Sequence, residues 1–172
     1  MIIAIDNGMS GGICAISKHS GSIIATQKMP IRYRHGSNEV NVLEFMEILG
    51  IMSPTCLFKP EIVIEKPGGS KSATAAKSMS GCLHAIRGAL ESRGVTLHRI
   101  TPQSWQKVLI PGKGDTKERA LAKAKELWPD EKWLNLNKTE KSYRPHDGVI
   151  DAALIAEYWR RTNQLDATPT DD

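Results

Sequence analysis

Cysteine and aromatic residues are scarce in this sequence. Its 172 residues include three cysteines, Cys14, Cys56 and Cys82, and no two of them have the C-x-x-C spacing. An odd number of thiols without that spacing indicates reduced core cysteines of an intracellular protein and not a disulfide framework. Phe, Tyr and Trp make up only 5% of the residues. Tryptophans are more often core or dimer contacts than platforms on which bases stack, and we interpret the tryptophans of this sequence in that way.

Long apolar runs and targeting segments are also absent. No run approaches the length that a membrane span needs. The segment after Met1 has the pattern of a strand that ends at Asp6, and it does not resemble a signal peptide. We therefore expect a soluble protein of the cytoplasm with no membrane association.

Three common catalytic motifs are missing. Residues 68–72, Gly-Gly-Ser-Lys-Ser, resemble a phosphate loop but lack its full pattern. The sequence has no G-x-S-x-G and no His/Cys cluster with zinc spacing. These absences argue against a P-loop enzyme, a serine hydrolase and a zinc site.

The composition that remains is that of a globular protein. Apolar residues make up 40% of the chain, and 172 residues are enough to bury a sizeable core. The net charge of +4 suits a polyanionic partner without requiring one. We predict one domain over residues 1–162 and a polar, disordered tail over residues 163–172.

Apolar runs and turn residues predict the order of the secondary-structure elements. The predicted strands cover residues 2–6, 12–17, 22–28, 61–65 and 95–100. The predicted helices cover residues 40–51, 73–93, 102–109, 116–128 and 145–162. Residues 30–37 are polar and are predicted to be a loop. A three-strand meander followed by alternating helices and strands predicts an α/β fold, with a mixed sheet flanked by helices on both faces.

Two acidic residues stand at the carboxyl ends of predicted strands. Asp6 follows an apolar run, and Glu65 closes the run Ile62-Val63-Ile64. If these strands are parallel neighbours, the two carboxylates lie close together and repel unless a cation lies between them. Mg²⁺ prefers such oxygen ligands. The alternative is that each acid only caps the turn after its strand.

Two further acids share one face of the last predicted helix. Asp147 and Asp151 are four residues apart. The alternative for Asp147 is that it only stabilises the positive N-terminal end of the helix dipole, since it lies in the first turn. Asp151 leads into the apolar residues 152–156, where an acid needs a partner. His146 adjoins the pair and is a candidate base or water-positioning residue, although a lone histidine is more often structural.

Basic residues recur through the middle of the chain. Several of them follow Glu65 or begin a helix, where backbone N–H groups are also free. Cations and free N–H groups together can bind the phosphates of a nucleic-acid backbone. A solvated charged face is the alternative for most of these lysines taken singly. The candidate DNA-binding residues are Lys66, Ser70, Lys71, Lys77, Lys113 and Lys117.

Five segments together resemble RuvC-type Holliday-junction resolvases of the ribonuclease H-like superfamily. Residues 4–8 (Ala-Ile-Asp-Asn-Gly) resemble the first family motif, and residues 64–65 (Ile-Glu) resemble the second. Residues 146–154 (His-Asp-Gly-Val-Ile-Asp-Ala-Ala-Leu) resemble the C-terminal acidic motif. The form of this C-terminal motif is closest to the short phage and prophage versions. Residues 101–105 (Thr-Pro-Gln-Ser-Trp) and 117–119 (Lys-Glu-Arg) also fit those versions.

The resemblance implies a fold, an activity and a site. The fold would be a ribonuclease H-like five-stranded sheet, with three antiparallel strands first and parallel strands added. Asp6, Glu65, Asp147 and Asp151 would bind two Mg²⁺ or Mn²⁺ ions and catalyse phosphodiester cleavage, and Lys117 would hold DNA nearby. The protein would be a homodimer that nicks four-way DNA junctions symmetrically in a bacterial or phage-infected cell, with no small-molecule cofactor.

The sequence departs from the bacterial family members at two points. The last two acids are four residues apart, and Gly148 occupies the position three residues before Asp151. Residues 66–70 (Lys-Pro-Gly-Gly-Ser) lack the aromatic residue that bacterial members carry after the second acid.

Three other functions use the same residues. A nuclease of the same fold could act on flaps, branched DNA or RNA with the same acids. A phosphotransferase of the actin and sugar-kinase group also starts with Asp-x-Gly, but it needs two such domains and a second phosphate loop. A binding module without catalysis is disfavoured, because four acids on a basic protein would repel DNA unless a metal intervened.

Overall fold

A five-stranded mixed sheet forms the centre of the computed structural model, which describes residues 1–53, 60–68, 72–134 and 143–164. Its strand order is β3-β2-β1-β6-β7. The strands β1, β2 and β3 pair antiparallel, and β6 and β7 continue the sheet parallel to β1. The strand bounds are β1 Ile2–Ile5, β2 Gly12–Ile16, β3 Ile23–Lys28, β4 Ile31–Arg34, β5 Ser37–Val40, β6 Glu61–Glu65 and β7 Leu97–Ile100. The predicted fold class and all five predicted sheet strands are confirmed.

The register of the central strands brings their carboxyl ends to one edge. Ile5 of β1 pairs with Ile64 of β6. The residues that follow, Asp6 and Glu65, therefore leave the two strands side by side. β3 runs antiparallel to β2 and so parallel to β1, which brings its last residue, Lys28, to the same edge.

Helices cover both faces of the sheet. Their bounds are α1 Val42–Met52, α2 Ala73–Glu91, α3 Pro102–Leu109, α4 Thr116–Leu127 and α5 Asp147–Gln164. One core cluster joins the sheet to α3, α4 and α5, with Trp105 and Leu154 fully buried in it. The other joins the opposite face to α1 and α2 through Phe45 and Ile86. Both faces of β1 and β2 are therefore buried, which explains their continuous apolar sequences.

Helix α4 begins one residue earlier than its predicted cap implies. The sequence suggests Thr116 as the cap, but Asp115 is the N-cap, and its carboxylate accepts hydrogen bonds from the backbone N–H groups of Lys117 and Glu118. A carboxylate can satisfy two of the free N–H groups and interacts favourably with the positive end of the helix.

The predicted polar loop over residues 30–37 is wrong. Strands β4 and β5 form a separate two-stranded sheet with a two-residue turn at His35 and Gly36, both at positive φ (51° and 79°). Arg32 Nε lies 2.7 Å from Glu39 Oε1 across the pair. The sequence hides this hairpin because most of its side chains are exposed and show no apolar alternation.

The last helix extends beyond its predicted end. Asn163 was assigned to the tail, but it lies in α5, where its side-chain amide donates to the Trp159 carbonyl. The rest of the predicted tail, residues 165–172, lies outside the described residues. Within the described ranges, no helix is both long enough and apolar enough to cross a membrane.

Candidate metal centre and active site

Asp6 and Glu65 form the centre of the candidate site. Their carboxyl groups lie close enough to influence one another's pKa at the carboxyl edge of the sheet. Burial raises the pKa of Asp6 well above its usual value, and the charges of Asp151 and Glu65 raise it further. Burial also raises the pKa of Glu65. Two close carboxylates repel when both are ionised, so the raised pKa values favour a protonated carboxyl group or a nearby cation.

The last helix adds a third acid to this pair. Burial raises the pKa of Asp151 to about 7, and the charges of Glu65 and Asp147 act in the same direction. Lys117 acts in the opposite direction. The charge effects show that Asp151 lies within electrostatic reach of both strand-end acids, so three elements bring these acids near one another.

Asp147 has a different environment from the other three acids. Its Oδ2 lies 2.7 Å from Lys117 Nζ and 3.6 Å from Arg144 Nη2. Asp147 therefore stands at the rim of the acid cluster, already paired with cations.

Three glycines let α5 approach the acid pair. Gly11 and Gly148 form a backbone bridge between the turn after β1 and the first turn of α5. A Cβ on Gly148 would lie 2.5 Å from the Ser10 carbonyl oxygen and 2.6 Å from the Gly11 Cα. A Cβ on Gly12 would meet Val149 Cα at 2.7 Å. Gly148 is a position at which this sequence departs from the bacterial family members. Packing requires glycine there, since no side chain fits.

His146 is buried immediately before α5. Its backbone carbonyl accepts hydrogen bonds from the N–H groups of Val149 and Ile150, so it belongs to the start of the helix. Burial lowers the pKa of the imidazole, and the charge of Lys28 lowers it further against the opposing effect of Asp147. These shifts favour the neutral imidazole, the form that can accept a proton.

Four of the six predicted DNA-binding residues are described by the structure. Among these four, Lys117 is the one that directly contacts a site acid. Lys66 is exposed directly after Glu65, Lys77 is exposed on α2, and Lys113 is exposed in the loop before α4. Ser70 and Lys71 lie outside the described residues.

Sequence reasoning missed the contact that Trp105 makes with the site. Its indole Nε1 donates to Glu65 Oε1 at 2.7 Å, and the ring is 1% exposed. We interpreted this tryptophan as a core residue, which is correct for its ring but not for its N–H. The sequence shows that Trp105 belongs to the segment 101–105, but it does not show that Glu65 is its hydrogen-bond partner.

Lys28 and Asn7 were also missed. Lys28 ends β3 at the edge where the acids meet, which its strand direction could have indicated. The buried Asn7 follows Asp6, and its side-chain amide donates to the Met79 carbonyl at 3.1 Å, tying the first acid's strand to α2.

The donor set suits a hydrated divalent cation. Carboxylate oxygens are the ligands that Mg²⁺ and Mn²⁺ prefer, and the mutual repulsion of the buried acids makes a positive charge favourable there. Among the described residues, no group of three or more His, Cys, Asp or Glu side chains could hold a metal ion directly. Mg²⁺ commonly takes one or two carboxylates and completes its shell with water, which this arrangement allows.

The chain is thus an α/β domain with a mixed five-stranded sheet and acids at one of its edges. Two solved structures of Thermus thermophilus RuvC share the fold. RuvC in complex with a Holliday junction substrate matches with a TM-score of 0.60 and 16% identity, covering 94% of each chain. A second Thermus thermophilus RuvC structure matches with a TM-score of 0.55 and 18% identity, covering 94% of this chain and 96% of that chain. No protein-family model and no curated protein matches the sequence.

Proposed function

We propose that this protein is a metal-dependent endonuclease that resolves four-way DNA junctions by symmetric cleavage. The observation that carries the proposal is the meeting of Asp6, Glu65 and Asp151 at one edge of a sheet with the RuvC fold. Such a cluster is unfavourable in itself and becomes favourable with a divalent cation. The resemblance to phage and prophage versions remains a sequence-based part of the proposal.

The acids would bind the divalent metal ions. Asp6, Glu65 and Asp151 would hold Mg²⁺ or Mn²⁺, with Asp147 at the rim, and two ions per subunit suit four carboxylates. When bound, the metal would supply an activated water and stabilise the leaving oxygen of a phosphodiester. The neutral His146 would accept a proton from that water or orient it.

The basic residues would bind the DNA backbone. Lys66, Lys77 and Lys113 are exposed and can reach phosphates, and Lys117 would place one phosphate beside the acids. We include Ser70 and Lys71 on the sequence pattern alone. The solved RuvC complex contains a Holliday junction substrate, and this similarity supports branched DNA as the partner here. Such an enzyme would act on DNA in the cytoplasm.

Cleavage of a synthetic immobile junction tests the proposal. We expect nicking with Mg²⁺ or Mn²⁺ and none with EDTA. Asp6→Asn and Glu65→Gln should each abolish nicking but keep or tighten junction binding, because each removes a ligand and a negative charge near the DNA. Glu61→Gln is the matched control, since Glu61 begins the same strand and pairs with Lys18 at 2.5 Å.

The same assay separates the substrates. A resolvase should cleave the four-way junction in preference to a flap, a plain duplex and an RNA–DNA hybrid. Preferred cleavage of a flap or hybrid would assign the protein to another nuclease activity of this fold. Nicking at the wild-type rate by either acid variant would contradict the proposed metal centre.

A further inference from the structure

Strand β6 has a glutamate at each end, and each one accepts a hydrogen bond from a tryptophan. Trp159 Nε1 donates to Glu61 Oε2 at 2.8 Å, and Trp105 Nε1 donates to Glu65 Oε1 at 2.7 Å. The two bonds have the same chemistry. They differ in that Glu65 lies among the site acids, whereas Glu61 pairs with Lys18 at the opposite edge of the sheet.

The bond at the site end is the more buried of the two. Trp105 is 1% exposed and Glu65 8% exposed. The indole belongs to the core cluster that joins α3 to α5. Thr101 caps α3 by accepting from the Ser104 N–H, with Pro102 at the first position, so the helix that carries Trp105 has a defined start. The ring therefore has little freedom to move away from the carboxylate.

Glu65 needs such a donor because its other neighbours are acids. Its charge raises the pKa of both Asp6 and Asp151. Without a fixed donor, repulsion would rotate the Glu65 carboxylate away from the other acids. An indole N–H can only donate, so it holds Oε1 whatever the ionisation state of its neighbours.

We propose that Trp105 is a positioning residue that fixes the Glu65 carboxylate in the orientation that binds a divalent cation. This inference rests on the proposed metal-dependent nuclease. The indole N–H of Trp105 would raise the affinity of the site for the metal, an effect that packing of the ring alone would not have. Partners that orient metal ligands typically change affinity by about 10- to 100-fold when lost.

Mn²⁺ binding without DNA tests the inference directly. Free Mn²⁺ is measured by electron paramagnetic resonance in titrations of wild type, Trp105→Phe, and protein carrying 3-benzothienylalanine at position 105. The last analogue keeps the ring's size and lacks the N–H. Trp159→Phe is the matched control, because it removes the equivalent bond at the other end of β6. Thermal unfolding of each protein without metal reports packing.

The expected result separates orientation from packing. Both position-105 variants should bind Mn²⁺ at least about tenfold more weakly, and excess Mn²⁺ should restore their junction cleavage. Trp159→Phe should bind like wild type. The benzothienylalanine protein should unfold near the wild-type temperature.

Three results would overturn the inference. One is that the folded benzothienylalanine protein binds Mn²⁺ with wild-type affinity. This result would contradict the role of Trp105 but not the proposed nuclease activity. Another is failure of that protein to fold, which would assign the indole N–H to structure alone. The third is an absence of Mn²⁺ binding by wild type, which would remove the proposed metal centre as well.

Discussion

Gly148 shows how a missing side chain can shape an active site. The backbone of α5 touches the turn after β1 at this position, and that contact holds Asp151 beside Asp6. We predict that Gly148→Ala destabilises the protein by about 1–3 kcal/mol or more, because its Cβ would overlap backbone atoms that cannot move independently. Chemical denaturation measures the effect.

The control for this substitution is another helical glycine. Gly50 in α1 has nothing within 4 Å of an added Cβ, so Gly50→Ala should be neutral or stabilising by up to about 1 kcal/mol. Equal stability of Gly148→Ala and Gly50→Ala would mean that α5 does not approach the turn so closely in solution.

The buried acids give the metal-free protein an unusual pH dependence. Folding raises the pKa of Asp151 from its ordinary value of about 4 to about 7. Between those values the folded protein keeps a proton that the unfolded chain has lost, so stability falls as the pH rises through this window. Asp6 and Glu65 act in the same direction, whereas His146, whose pKa is lowered on folding, acts in the opposite direction.

We therefore predict that the melting temperature of the metal-free protein declines from about pH 4.5 to about pH 7. Asp151→Asn should make the decline shallower, while Asp130→Asn, at an exposed aspartate after α4, should leave it unchanged. Added Mg²⁺ should raise the melting temperature most at the upper end of this range. Calorimetry in EDTA and in Mg²⁺ measures both effects, and a rise in stability across the window would contradict the placement of the acids.

The sequence predicted the site acids better than their surroundings. Asp6 and Glu65 were visible because each ends an uninterrupted apolar strand, and strand direction alone brings them together. The contacts of Trp105 with Glu65 and of Gly148 with Gly11 join residues far apart in sequence. Such contacts depend on how helices dock, and no local pattern encodes them.

At the scale of elements, prediction succeeded where burial is strong. The strands β1, β2 and β6 are almost wholly buried, and their apolar runs located them within one or two residues. The β4–β5 hairpin buries only Val40. Its stability depends on backbone pairing and turn geometry, which composition does not show.

The hairpin turn offers a test of that explanation. His35 has φ of 51°, a conformation that a histidine adopts at a cost and that asparagine adopts more readily. We predict that His35→Asn stabilises the protein by up to about 1 kcal/mol, since Asn-Gly is the preferred pair where both turn residues have positive φ. Gly36→Ala should have the opposite effect, because Gly36 also has positive φ. Denaturation of both variants measures the difference, and a destabilising His35→Asn would contradict the turn geometry.

At the scale of the whole molecule, the proposed junction activity requires two sites. Helix α2 buries Cys82, Leu83, Ile86 and Leu90 against the sheet. Gly81 and Gly88 are exposed on another face, where a second copy of α2 could approach closely. We predict that a homodimer forms through this surface.

Substitution of Gly81 tests this dimer. Gly81 has open space around an added Cβ, so Gly81→Glu should leave the fold intact while it separates the subunits. Gly50→Glu, at an equally open helical glycine, is the control. Light scattering at micromolar concentration should show a dimer for wild type and Gly50→Glu and a monomer for Gly81→Glu. A monomeric wild type, both free and on junction DNA, would favour the flap or RNA nuclease.

The docking of α5 on β1 also completes the acid cluster. Asp6 is made among the first residues of this chain, but its partner Asp151 arrives only with α5, which packs on both β1 and β2. A nascent chain that has completed the sheet but not α5 therefore has an incomplete acid cluster. In the proposed nuclease, a chain without α5 would lack one of the three acids that would hold the metal, so the sheet alone would not form a complete site.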